Sequence, residues 1–266
     1  MLEQIRPMDI ERRSFEIITE LLGDRKLDPE NELVIKRAIH TTADFDYADN
    51  LVFSDHAVTK GIEALRAGCD IVTDTQMAKA GINKTILASL GGEVHCFMSD
   101  PDVAAEAKAR GVTRAIVSME RAAQLPKPCI FAIGNAPTAL VSLEALMEAD
   151  KLHPALIIGV PVGFVNVVES KELVIANCRA PYIVARGRKG GSNVAAAICN
   201  AMLYQIRRWD GRICNQGRKT TPSRLYDRLL RGCCGKSCGV DVADRPRKTN
   251  HRSAHSKGRL PDAGRA

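Results

Sequence analysis

Cys129-Ile-Phe-Ala-Ile133-Gly134-Asn-Ala-Pro137-Thr138 decides how the chain is built. Five apolar residues in a row suit a strand buried on both faces, as in a parallel sheet. A glycine then turns the chain, and Pro137 stands where a helix begins, since proline suits the first helical turn. The same design recurs at Gly159-Val-Pro-Val-Gly163-Phe164-Val-Asn166, after a strand expected at 155–160. It recurs again at Arg186-Gly187-Arg188-Lys-Gly190-Gly191-Ser192-Asn193, after a strand expected at 182–186. Further short apolar runs predict strands at 50–53, 70–73, 93–97 and 115–117. Helical periodicity falls between most of them, at 55–67, 100–110, 137–149 and 191–206. Strands alternating with helices of this length predict a doubly wound α/β fold, a mostly parallel sheet with helices on both faces. In such sheets ligands bind beyond the strand C-termini, so the three glycine loops are candidate site elements.

Glycines let backbone approach closely, and freed amides at a helix N-terminus favour an anion. Gly134, Asn135, Thr138, Gly163, Phe164, Gly190, Gly191 and Ser192 are therefore candidate ligand contacts, with Arg188 as a planar carboxylate partner. Taken singly, each loop reads equally well as a tight turn packing helix on sheet. The third loop lacks the spacing of a phosphate-binding P-loop, and no Gly-x-Gly-x-x-Gly follows the first strand. Arg12, Arg13, Ser14 and Arg114 are further candidates for an acidic ligand, or else ordinary surface groups.

Two helices precede the first strand. Asp9 can cap one running to about Leu22, with Ile10, Phe15, Ile17, Ile18, Leu21 and Leu22 as its apolar face. Asp28-Pro29-Glu30 starts a second, ending near His40 in Arg37-Ala-Ile-His40-Thr41-Thr42-Ala-Asp44-Phe-Asp46. Histidine exchanges a proton near neutral pH, and two hydroxyls and two carboxylates follow this one. On local sequence alone it reads as a helix-terminal or half-buried histidine. His56, His95 and His153 lack that setting. The Thr73-Asp74-Thr75-Gln76-Met77 loop either reaches the pocket or caps a helix.

The charge is split along the chain. Residues 207–266 hold 16 Lys and Arg against 5 Asp and Glu, leaving 22 basic and 26 acidic residues in 1–206. The tail has too little apolar surface to offset ordering, so disorder is expected there, apart from a helical turn at Leu225–Leu230. Its cysteines 214, 233, 234 and 238 match no standard zinc spacing, and its basic residues lack the aromatic interleaving of specific nucleic-acid binding. The scattered cysteines of the first 206 residues argue against a disulfide framework and for a reducing, cytoplasmic setting. No apolar run is long enough to span a bilayer, so no membrane association is expected.

Several motifs together resemble one family. Asp9-Ile-Glu-Arg-Arg-Ser14, Arg37-Ala-Ile-His40-Thr-Thr-Ala-Asp44, Thr73-Asp-Thr-Gln-Met77 with Ala80-Gly-Ile82, Gly134-Asn-Ala-Pro-Thr138, Gly159-Val-Pro-Val-Gly-Phe164 and Gly187-Arg-Lys-Gly-Gly-Ser192 are similar, in order, to the precorrin-8X methylmutases of corrin biosynthesis. The resemblance spans residues 1 to about 206. It implies an isomerase that shifts a methyl group from C-11 to C-12 of a tetrapyrrole polycarboxylate, and a homodimer whose subunits both border the pocket. It gives His40 the role of general acid, with Thr41 and Thr42 orienting it or touching the ring, and Asp44 or Asp46 holding its charge. It implies no cofactor; cobalt, where present, is carried by the substrate. Residues 73–77 and 95–100 look more like the cobalt-dependent branch. A carrier that binds a tetrapyrrole without converting it is the alternative.

Overall fold

The computed structural model describes residues 5–216. After a 3-10 turn at Pro7–Asp9, the elements run α1 Ile10–Leu22, α2 Glu32–Thr42, α3 Tyr47–Asn50, β1 Leu51–Phe53, α4 Ala57–Arg66, β2 Asp70–Thr73 and α5 Gln76–Gly81. They continue with α6 Lys84–Ser89, β3 Val94–His95, α7 Pro101–Arg110, α8 Arg114–Ala122, β4 Cys129–Ile133 and α9 Pro137–Glu148. The last are β5 Leu156–Gly159, α10 Val167–Asn177, β6 Tyr182–Ala185 and α11 Ser192–Gln216. Six strands form one sheet in the order β1-β6-β5-β4-β2-β3. All neighbours are parallel except β1 and β6, which pair antiparallel from Leu51 opposite Ala185 to Phe53 opposite Ile183.

The apolar runs divide by the period of two that a strand imposes. Ile130, Ala132, Leu156, Ile158, Ile183 and Ala185 enter one core with residues of α1, α2, α4, α6 and α11. Phe131, Ile133, Ile157 and Val184 enter the other, against α8 and α9. Both faces are therefore covered, which is why the strands read as continuous rather than alternating hydrophobics. The α/β expectation holds.

Two local differences have clear physical causes. Residues 115–117, expected as a strand, lie inside α8. Gly111 ends α7 at φ 66°, and the Thr113 hydroxyl then accepts from the Ile116 amide at 3.4 Å, which starts a helix from residues of high strand propensity. On α1 the expected apolar face is only partly covered. Ile18 and Leu22 are buried, whereas Ile10, Ile17 and Leu21 stand 52, 37 and 66 % exposed. Residues 207–216, expected to belong to the disordered tail, instead continue α11 and include Cys214, because the helical backbone begun at Ser192 carries on past Ile206. Leu225–Leu230 and cysteines 233, 234 and 238 lie outside the described residues. Among the described residues no helix is long and apolar enough to cross a membrane.

Candidate functional site at the carboxyl edge of the sheet

From β2 the chain crosses outward to β3, whereas from β4 it runs the other way to β5 and β6. The loops after β2 and β4 therefore diverge and leave a crevice between them, the usual ligand position in an open parallel sheet. Asp74, the first residue after β2 and fully buried, fills it. Its carboxylate accepts the amides of Gly134 at 2.9 Å, Asn135 at 2.7 Å and Ala136 at 2.6 Å. These are the N–H groups that the sequence offered to a ligand anion at Gly134 and Asn135. The protein supplies its own anion there, and a ligand is left the Asn135 side chain, which is exposed. Burial pushes the Asp74 carboxyl up from its ordinary range while the three amides pull it back. Since all three contacts are donors, the ionised form is the one the loop accommodates.

The loop from Gly187 to Ser192 joins the remaining pieces. Ser192 Oγ lies 2.7 Å from Thr75 Oγ1, and Thr75 also caps α5 by accepting from Ala78 N–H at 3.1 Å. A Cβ on Gly134 would come within 2.7 Å of Ser192 Cα, and one on Gly190 within 2.1 Å of the Val160 carbonyl. These glycines, together with Gly191, whose amide donates to Val160 O at 2.9 Å, bring backbones together. The Gly163 amide donates to the Arg188 carbonyl at 3.3 Å, so the loop after β5 is tied in as well. The Arg188 side chain is exposed, and its guanidinium has no partner among the described residues. Phe164 and Val165, which follow Gly163 on the loop after β5, stand 83 and 77 % exposed. Thr113 Oγ1 lies 3.0 Å from Thr138 Oγ1, which brings the start of α8, where Arg114 stands, against the start of α9; Arg114 Nη1 donates to Met98 O at 3.3 Å.

The end of α2, tied to the Gly187–Ser192 loop through Asp44 and Asp46, carries His40. The histidine lies in the last turn of α2, exposed, with its ring stacked on Phe15 at 5.5 Å between centroids. Phe15 is itself held by the Arg37 guanidinium, 4.8 Å over its ring. No side chain among the described residues hydrogen-bonds the imidazole. Here the structure corrects the expected supports. Thr41 and Thr42 donate to the carbonyls of Arg37 and Ala38, at 3.0 and 2.8 Å, along their own helix. Asp44 and Asp46 both bind Lys189 Nζ at 2.6 Å, and do not hold His40. The hydrogen bond from Lys189 lowers the Asp44 pKa, and the two contacts together latch the end of α2 to the glycine-rich loop. On α1, Arg12 pairs with Asp9 and Glu16, Arg13 with Glu16 and Glu20, and Ser14 Oγ donates to Ile10 O at 2.9 Å. These are helix-surface contacts, so the α1 residues reach a ligand only by exchanging partners.

The crevice and the loops that converge at the carboxyl edge, with the Arg188 guanidinium unpaired among the described residues, define an open α/β protein whose candidate site lies beyond its strand ends. The particular family follows from comparison: residues 9–205 match the model of the family described as precorrin-8X methylmutase, and the chain belongs to that family of isomerases in cobalamin biosynthesis. Cobalt-precorrin-8 methylmutase of Salmonella typhimurium is 47 % identical over 208 residues, covering 76 % of this chain and 97 % of that protein. Precorrin-8X methylmutase of Pseudomonas aeruginosa is 38 % identical over 207 residues, covering 77 and 99 %. The crystal structure of precorrin-8x methyl mutase from Thermus thermophilus superposes with a TM-score of 0.69 at 38 % identity, covering 74 % of this chain and 95 % of that one.

Proposed function

We propose that the protein catalyses the C-11 to C-12 methyl shift of cobalt-precorrin-8, with His40 as general acid. A sigmatropic methyl shift needs no nucleophile. It needs a cavity that holds the macrocycle in a reactive shape and a donor for the rearranged π-system. The observation that carries the reading is His40 itself: an exposed imidazole with no side-chain hydrogen bond among the described residues, stacked on Phe15 and four residues ahead of Asp44, which binds the glycine loop through Lys189. Arg188 and Arg114 supply cations for acetate and propionate groups, and Phe164 an apolar contact for the ring. Cobalt would arrive with the substrate, and no cofactor is called for. The cobalt form is favoured because relatives named for it share 47 and 44 % identity, against 38 and 34 % for two named for precorrin-8X.

The same reading includes a homodimer in the cytoplasm. The exposed Phe164, Val165 and Val162, and the outer stripe Ile10, Ile17 and Leu21 on α1, are apolar groups that a second subunit would cover. Free cysteines at 69, 96, 129, 178 and 199 suit a reducing compartment. The test is an absorption spectrum after incubation with precorrin-8X and with its cobalt form. A corrin-type spectrum, formed faster from the cobalt substrate, is expected; binding of both without conversion would make the protein a carrier instead.

A further inference from the structure

Helix α10 carries a charge that the site described so far does not use. Lys171 is 0 % exposed, and no carboxylate among the described residues pairs with it. Its Nζ donates to the carbonyl of Gly187 and to the carbonyl of Lys189, both at 2.8 Å. Those two carbonyls belong to the residues on either side of Arg188, whose own carbonyl accepts from Gly163 N–H. Three consecutive peptide groups are thus fixed from within the protein while the Arg188 side chain faces outward. Taking a lysine out of water is costly unless its charge is put to use, and carbonyl dipoles compensate it only in part. Burial correspondingly lowers the Lys171 pKa to about 8.

We propose that Lys171 is a positioning residue for substrate binding: it pins the loop on both sides of Arg188 and sets a positive charge beneath it, so that the guanidinium meets a substrate carboxylate in a fixed direction. This rests on the reading of the Gly187–Ser192 loop as carboxylate-facing. Lys189 extends the arrangement. Its backbone is held by Lys171 and its side chain by Asp44 and Asp46, so the loop is fixed relative to the end of α2 as well.

The experiment compares Lys171→Met, Arg188→Ala and the double variant in steady-state kinetics with cobalt-precorrin-8. Methionine keeps the length and apolar stem and removes the charge and both bonds. Lys171→Met is expected to raise KM about tenfold, the effect of losing ~1.4 kcal/mol of binding, with kcat within about threefold. The double variant should bind hardly worse than Arg188→Ala alone, because the two act as a unit. An unchanged KM in Lys171→Met, with only a lower melting temperature or active fraction, makes the lysine merely structural and overturns the proposal. If Arg188→Ala also leaves KM unchanged, the underlying reading of the loop fails instead.

Should Lys171→Met not fold, the wild-type enzyme supplies the second measurement, KM between pH 7 and 9. Of the charged groups on α10 and the loop it holds, Arg186 pairs with Glu172 at 2.9 Å and Lys189 with Asp44 and Asp46, while Glu169 and Arg188 are exposed. Glu144 and Glu148 on α9 line a separate recess with Ala176 and Asn177, at the far end of α10. KM is expected to rise with a midpoint near pH 8; a flat profile overturns the proposal.

Discussion

Replacing Asp74 by asparagine tests whether the crevice of the sheet is held together by an internal anion. The substitution keeps shape and volume and changes only charge and one acceptor. In the native loop Oδ1 accepts from Gly134 N–H, and Oδ2 from both Asn135 and Ala136. Asparagine has a single oxygen. Turned towards Asn135 and Ala136, it leaves an NH2 group facing the Gly134 amide, so one buried donor loses its acceptor. Bonds to a charged group contribute ~1.5–3 kcal/mol each, neutral ones ~0.5–1.5, and an orphaned buried donor costs ~1–3. The gross loss is therefore several kcal/mol, and relief from burying a charge offsets part of it. A net destabilisation of about 2–4 kcal/mol is expected from these magnitudes, a large share of a domain's stability. Urea denaturation followed by circular dichroism measures it directly, with the slope of the transition unchanged. A difference below about 0.5 kcal/mol would refute the reasoning, because the three amides would then have lost nothing by losing the carboxylate.

Other outcomes follow from the same structure. Gly134→Ala drives a methyl into the backbone of Ser192, 2.7 Å from its Cα, and should cost ~1–3 kcal/mol and weaken substrate binding; an unchanged urea midpoint would contradict the packing described. Phe15→Ala should lower kcat about tenfold while substrate affinity changes little, since the ring holds His40 and not the ligand, with Phe15→Tyr retaining most activity. Burial raises the thiol pKa of Cys69, Cys129 and Cys199 to about 12, above their unfolded value. The folded state then holds protons that the unfolded state has released, so this stability is intact below about pH 9 and is lost as pH rises towards 12, by at most ~1.4 kcal/mol per thiol per pH unit. Lys171 acts in the opposite sense between about pH 8 and the ordinary lysine range, offsetting one thiol. The urea midpoint should fall from pH 9 to 11 and fall less in Cys199→Ala; an identical decline in both would refute the assignment.

What could be read in advance follows from how local each signal is. The strands at 129–133 and 70–73 fall where their apolar runs place them, because a strand buried on both faces writes itself as a continuous run. Residues 115–117 carry the same kind of run, and there the cap at Thr113 outweighs strand propensity. Period alone could not separate the two cases, although the Gly111-Val-Thr113 punctuation offered a clue. The glycine loops converge as expected, but for a different immediate reason. Gly134 and Gly190 are required by contacts with Ser192 and Val160, at separations of 58 and 30 residues that no local pattern encodes. Asp74 read as a possible cap, yet it holds the loop amides of Gly134, Asn135 and Ala136, 60 to 62 residues away, rather than its own helix. Lys189 carried no signal of its own in the sequence and proves to hold Asp44 and Asp46, the expected supports of His40. Phe15 read only as part of an apolar helix face; its place against His40 depends on how α1 crosses α2.

The central claim is that His40 donates the proton that accompanies methyl migration. The most direct test is a single-turnover reaction of cobalt-precorrin-8 with excess wild-type enzyme and with His40→Asn, followed by absorption spectroscopy, with ligand affinity measured separately by fluorescence quenching. Wild type is expected to form the corrin spectrum, while His40→Asn binds substrate within a few-fold of wild type and converts it at least about a hundredfold more slowly. Conversion by His40→Asn at the wild-type rate would contradict the account and remove His40 from the chemistry.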